Sequence, residues 1–186
     1  KMKSGTVDAG SVGEGAADED LAEGRRNNGW AIGLSWASAN QDEVLREAMK
    51  IQVDGAALFE SVQCTFSVLE QKPGPALLTA YEAGLDIIIK EGLANGRALK
   101  YSAVLQYAAK LSCEPDQLAL GCILAQPFQP RVLSGAVSPE QLESNWKSLA
   151  VSEQLASDPA LLQEIMQACV VESTDYWDER SALAWN

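Results

Sequence analysis

From Gly29 onward, short runs rich in β-branched and aromatic residues alternate with stretches whose apolar positions recur at helical spacing. That alternation predicts a series of βα units. In the first, WAIGLS (30–35) leads to NQDEVLREAMKI, where Asn40 is placed to cap a helix and Glu43 to close a capping box. In the second, ALFESVQCTF (57–66) runs through Pro73, Gly74 and Pro75 into ALLTAYEA, and Gly84 is placed to end that helix in a left-handed turn. The third unit is LDIIIK (85–90), a glycine-containing loop, and helices from about Tyr101 to Leu111 and from Pro115 to Gln126, the latter with Leu118, Leu120, Ile123 and Leu124 on its apolar face. The fourth is RVLS (131–134), then Gly135 and SPEQLESNWKSL, with Ser138 as N-cap, Pro139 at the first helical position and Gln141 closing a second capping box. A last helix is predicted from Pro159 to about Val171, with Leu161, Leu162, Ile165 and Met166 on its buried side. Beyond it, Tyr176, Trp177 and Trp185 are too apolar to remain solvated, so this tail is expected to dock.

Residues 1–28 break the pattern. They are rich in Gly, Ala, Ser and acidic residues with almost no large apolar side chain, and a segment of that composition cannot offset the entropy of ordering. The expected organisation is a disordered segment over 1–28 and one folded domain over 29–186. Strands alternating with helices imply a parallel sheet, and the run LDIII suits a strand covered on both faces. Two α/β architectures fit: a doubly wound open sheet, or half of an eight-stranded βα barrel, which needs about 250 residues when complete.

Composition narrows the chemistry. A net charge of −12, with 14 Lys and Arg spread along 186 residues, argues against a nucleic-acid groove, which needs clustered cations. No apolar run approaches the roughly 20 residues of a membrane helix, so no membrane partner is expected, and a cytoplasmic location is. The four cysteines, Cys64, Cys113, Cys122 and Cys169, are far apart and there is no histidine, so no metal site is expected and the thiols are read as buried small hydrophobes. Without imidazole, serine and cysteine hydrolase triads and most acid–base schemes working near neutrality are excluded.

Two loops carry candidate chemistry. After the third strand, Gly92 and Gly96 bracket LAN and leave backbone N–H groups without side-chain cover, as a pyrophosphate requires; a plain turn has the same signature. After the fourth, Gly135 and the capped helix start at Ser138 aim helix N–H donors out of the sheet's C-terminal edge, an anion site in outline. Two successive loops of this kind match the place where βα barrels hold phosphate, after strands seven and eight. The four units would then be units five to eight.

The ordered series GLS (33–35), SVQ (61–63), IKEGLANGR (89–97) and SGAVSPEQLESN (134–145) resembles the C-terminal half of an aldo-keto reductase, closest to bacterial and algal members related to aldose dehydrogenases. The resemblance runs from about Gly29 to Asn186. It implies the C-terminal half of a (βα)8 TIM barrel and an NADP-dependent oxidoreductase, passing hydride between nicotinamide and a small-molecule carbonyl or an aldose. By the resemblance, Ser35 and Gln63 hydrogen-bond the nicotinamide carboxamide, and backbone amides at Leu93, Ala94 and Gly96 cradle the pyrophosphate. Gly135 begins the loop around the adenosine 2′-phosphate, Ser138 stands beside the phosphate-binding position, and Gln141 and Asn145 contact the adenosine part.

The chain also departs from the family pattern. Trp36 replaces a common asparagine, Lys90 an aromatic that stacks on nicotinamide, Val137 a serine and Ser144 a glutamate. The family's catalytic Tyr, Asp, Lys and His come from earlier strands, and none of Tyr81, Tyr101, Tyr107 or Tyr176 aligns with the tyrosine. No catalytic residue is therefore assigned, and the chain alone is expected to be inactive. Its start at Lys1 suits a truncated sequence. The alternative is a non-catalytic nucleotide-binding or regulatory half-barrel. Either way, a half-barrel is expected to leave apolar edges and an unclosed core.

Overall fold

The computed structural model describes residues 23, 24 and 27–184. In chain order they form β1 (Gly33–Ser35), α1 (Gln41–Ala48), β2 (Gln52–Val53), β3 (Ala56–Ala57), β4 (Ser61–Thr65), α2 (Gly74–Glu82) and β5 (Asp86–Lys90). Two single 3-10 turns, Ala94–Gly96 and Ala98–Lys100, lead to α3 (Ser102–Lys110), α4 (Pro115–Leu124) and β6 (Arg131–Val132). Then come α5 (Pro139–Trp146), α6 (Ser148–Ala156), α7 (Pro159–Cys169) and α8 (Ser173–Ser181). β2 and β3 form a small antiparallel hairpin. The main sheet is parallel throughout, in the order β1-β4-β5-β6.

That order decides between the two architectures. A doubly wound sheet reverses its strand order at a switch point, whereas a barrel adds each strand beside the one before it. Here every strand of the main sheet follows its predecessor without reversal, so the chain is an α/β fold of βα units in barrel order.

Side chains alternate across a strand, and the two faces of this sheet differ sharply. Val62, Cys64, Ile87 and Ile89 point to the helices and are at most 2% exposed, in one cluster with Leu77 and Ala80 of α2 and Leu118 and Ile123 of α4. The opposite face carries Ser35, Ser61, Gln63, Ile88 and Lys90, all half-buried or exposed. The expectation that LDIII is covered on both faces therefore holds on the helix face only, Ile88 being half-buried. The uncovered face is mainly polar, not the apolar unclosed core expected of a half-barrel.

One polar side chain finishes the sheet. β1 stops at Ser35, in register with Gln63, while β4 continues to Thr65. Gln41, 1% exposed at the start of α1, takes the next place with its amide: Nε2 donates to the Thr65 carbonyl at 2.8 Å and Oε1 accepts the Thr65 N–H at 3.2 Å. The side chain thus mimics a peptide group, satisfying both backbone groups that the short edge strand leaves open.

Helix ends are partly as the sequence predicts. Gly84 closes α2 at φ +92°, and Ser138 Oγ accepts the Gln141 N–H at 3.3 Å with Pro139 first in the helix. The two expected capping boxes do not form. Asn40 lacks the extended backbone of a capping residue (φ −105°, ψ 22°) and its Oδ1 accepts from Ser38 instead. Gln141 Oε1 accepts the Val137 N–H at 2.9 Å, one residue before the cap. A complete box forms instead at α4, between Glu114 and Gln117. At the C-terminus, α7 ends at Cys169, and the docked tail is a further helix, α8, with Tyr176 fully buried and Trp177 half-buried. Trp185 and most of segment 1–28 lie outside the described residues. Among the described residues, no helix is long and apolar enough to cross a membrane.

Candidate functional site

The carboxyl ends of β1, β4 and β5 bring together side chains far apart in sequence. Ser35 Oγ donates to Gln63 Oε1 at 2.9 Å, and Lys90 Nζ donates to Ser35 Oγ at 3.1 Å. The line Lys90–Ser35–Gln63 lies on the uncovered face, where parallel α/β sheets present ligand-binding groups. Burial pushes the Lys90 ammonium below its usual range, opposed by the negative charge of Glu91. With Oε1 taken by Ser35, the Gln63 amide still offers N–H donors. A primary carboxamide, with one acceptor and two donors, is complementary to such a serine–glutamine pair.

The loop after β5 is tightly wound. Glu91, Ala94, Asn95 and Gly96 all have left-handed φ, from +51° to +83°, and three of them are not glycine. Such backbone persists only where its surroundings over-determine it. Here α8 does so. Arg180 pairs through two nitrogens with the Glu91 carboxylate, Nε lying 2.9 Å from Oε2. The Arg97 guanidinium sits 4.1 Å above the Tyr176 ring and donates to Tyr176 O and Glu179 Oε2, each at 3.1 Å. Within the loop, the Ala94 N–H donates to Glu91 O at 2.7 Å and the Gly96 N–H to Leu93 O at 2.9 Å. Two of the amides assigned to a pyrophosphate are thus engaged inside the loop.

Beyond β6 a cavity of about 610 Å³ opens between the β5 loop, the start of α4 and the first turns of α5. It gathers four of the expected residues, Leu93, Gly135, Gln141 and Asn145, together with Asp116 and Glu140. Asn145, 9% exposed, donates to Ser134 Oγ at 2.9 Å and to Ser134 O at 3.3 Å, and so ties the Gly135 loop to α5. Gly135 has φ +66°, the left-handed turn that carries the chain from β6 towards the Ser138 cap. Ser138 itself works as the cap behind the cavity wall. Ala94 and Gly96 belong to the adjoining loop, and Ser35 and Gln63 form a separate cluster at the strand ends.

Other reactive groups are held inert. Burial pushes the Cys64 thiol up to about 12 and Cys169 to about 11, and raises Cys122 further. All four thiols are free. Burial likewise pushes the Tyr176 phenol up to about 12. Glu70 is fully buried in the loop after β4, accepting from Ser173 Oγ at 2.7 Å and from the Lys72 N–H at 3.1 Å, and burial raises its carboxyl above the ordinary range. Sequence reading missed Gln41, Glu70 and the Lys90–Ser35 contact.

No family model matches the chain, and no curated protein does. Among solved structures it is similar to an aldo-keto reductase from Bacillus halodurans in its holo form, with a TM-score of 0.60 at 20% identity. The match covers 83% of this chain and 56% of that one. The likeness shows the fold, part of an α/β barrel, and the match spans little more than half the length of that protein.

Proposed function

We propose that this chain supplies the dinucleotide-binding part of an oxidoreductase of the aldo-keto reductase type. The observation that carries the reading is the Ser35–Gln63 pair, hydrogen-bonded in register where β1 ends beside the middle of the parallel strand β4. The pair is placed to hold a nicotinamide carboxamide, with Ser35 oriented by Lys90. The cavity bounded by Leu93, Gly135, Gln141 and Asn145 then takes the adenosine end. Between them the β5 loop meets the pyrophosphate, whose oxygens compete with Glu91 O and Leu93 O for the Ala94 and Gly96 amides. The resemblance carries NADP with it, and a small-molecule carbonyl or aldose as the reacting partner. When bound, nicotinamide would supply a hydride; Ser35 and Gln63 would hold its carboxamide, with Lys90 orienting Ser35. No side chain in this chain is assigned as the proton donor: Tyr176 is buried with a raised phenol, and Glu91 is committed to Arg180.

A second reading, a nucleotide-binding module without catalysis, is favoured by the polar uncovered face, which water can solvate without a covering partner. Both readings require dinucleotide binding. Gln63→Leu is expected to weaken reduced-dinucleotide binding about tenfold, the scale of one lost hydrogen bond plus an unpaired carboxamide. Calorimetric titration checks it, with the unfolding midpoint as control. Unchanged affinity in a folded variant would remove the carboxamide site. Dinucleotide oxidation with a panel of aldehydes and aldoses separates the readings, turnover favouring the enzyme.

A further inference from the structure

The cavity beyond β6 is walled by two carboxylates and, among the described residues, by no lysine or arginine: Asp116 from the first turn of α4 and Glu140 from the first turn of α5. The backbone donors that would greet an anion at the start of α5 are already used. The Gln141 N–H bonds Ser138 Oγ at 3.3 Å, the Leu142 N–H bonds Ser138 O at 3.1 Å, and the Val137 N–H bonds Gln141 Oε1 at 2.9 Å. The Ala136 N–H bonds Ser134 Oγ at 3.2 Å. The Glu140 backbone N–H and the Ser138 hydroxyl beside it hold the Glu140 carboxyl below the usual carboxylate range, which favours its charged form. The positive end of α5 is therefore filled by the chain's own oxygens.

Resting on the reading above that the chain binds a nicotinamide dinucleotide, but departing from the NADP that the resemblance carries, we propose that this cavity takes the adenosine half of the unphosphorylated dinucleotide, NAD, in preference to NADP. Asp116 and Glu140 turn away a ribose 2′-phosphate and offer acceptors to a free ribose diol. The physical logic is that of dinucleotide sites in general, where a carboxylate pairs with the 2′-hydroxyl and a cation is needed for the 2′-phosphate. A phosphate of charge near −2 entering here would meet two like charges with no counter-charge in the wall. Even at the dielectric of water, each unit pair at about 4 Å opposes binding by a factor of about five. The expected preference is therefore about tenfold or more.

The test uses fragments that report on the adenosine end alone. The full chain is titrated calorimetrically at low salt with ADP and with adenosine 2′,5′-bisphosphate, and in parallel with NADH and NADPH. ADP is expected to bind about tenfold more tightly than the bisphosphate, with NADH and NADPH in the same order. The gap should shrink with added salt, because Glu140 is exposed and Asp116 only half-buried. Glu140→Gln and Asp116→Asn should each narrow it, and the double variant should close it. Equal or tighter binding of the 2′-phosphorylated ligands overturns the proposal, as does a gap that survives in the double variant. If the folded chain binds neither NADH nor ADP, the cofactor reading itself fails, and this inference with it.

Discussion

The two faces of the sheet follow different rules, though they belong to the same few strands. On the helix face, Val62, Cys64, Ile87 and Ile89 are almost wholly removed from water. On the other, Ser35, Gln63 and Lys90 form a hydrogen-bonded line that water can reach. The interior of a closed βα barrel is usually filled by layers of branched apolar side chains. Here, near the carboxyl ends of the strands, that face is built from polar groups that hydrogen-bond one another rather than from groups that pack. Packing resides on one side of the sheet and a polar hydrogen-bonded line on the other.

Paired substitutions at neighbouring depths give the strongest test. Ile89→Ala, on the helix face, should cost about 2–5 kcal/mol in denaturant unfolding, since a fully buried side chain is lost and a cavity remains. Gln63→Ala, on the open face, should cost about 1 kcal/mol or less, the value of one exposed hydrogen bond. Similar costs for the two would abolish the division of labour.

The rim where the faces meet should give an intermediate effect. Arg180→Ala removes the paired guanidinium that holds Glu91 in its left-handed conformation. The loss should be about 1.5–3 kcal/mol, the scale of hydrogen bonds to charged groups. Amide exchange should accelerate across 91–97 while β4 stays protected. Uniform acceleration would mean that α8 supports the whole domain and not this loop.

The smallest effect is electrostatic. Because burial raises the Glu70 carboxyl in the folded state, its contribution is fully present below the unfolded value and is lost as pH rises through the folded one. Glu70→Gln should therefore gain stability relative to the parent as pH rises from the acid limb towards neutrality. Two unfolding series across that range check the sign. A parent that gains on the variant with rising pH would place Glu70 in an environment that favours its charge.

The order of the main-sheet strands and of most helices was legible because it rests on local periodicity, as were Gly84 and the Ser138 cap, which depend on residues close in the chain; α6 (Ser148–Ala156) was not read. Gly135, Gln141 and Asn145 were named together by the family resemblance, and they lie close because α5 follows the Gly135 turn directly and Asn145 reaches back to Ser134. The hairpin at 52–57 was also within reach: Asp54–Gly55, both with positive φ, is a turn pair that favours two-residue hairpins. Reading 57–66 as one strand hid it. The Lys90–Ser35 and Arg180–Glu91 contacts could not be found this way, since partners 55 and 89 residues apart leave no periodic trace. The capping box at Asn40 failed for a local reason: Ser38, two residues earlier, takes the side-chain oxygen that the cap would use.

Gln41 has a consequence for the chain's company as well as its fold. An unpaired N–H and C=O on an exposed strand tip are a template on which another polypeptide can add a strand, the first step of many unwanted assemblies. By giving both groups of Thr65 to a side chain anchored on a helix, the molecule blocks that template without lengthening β1. Replacing Gln41 with a residue that has no amide would leave both groups of the buried Thr65 without this partner, and wherever α1 then lifts away the tip would be open to association that grows with protein concentration.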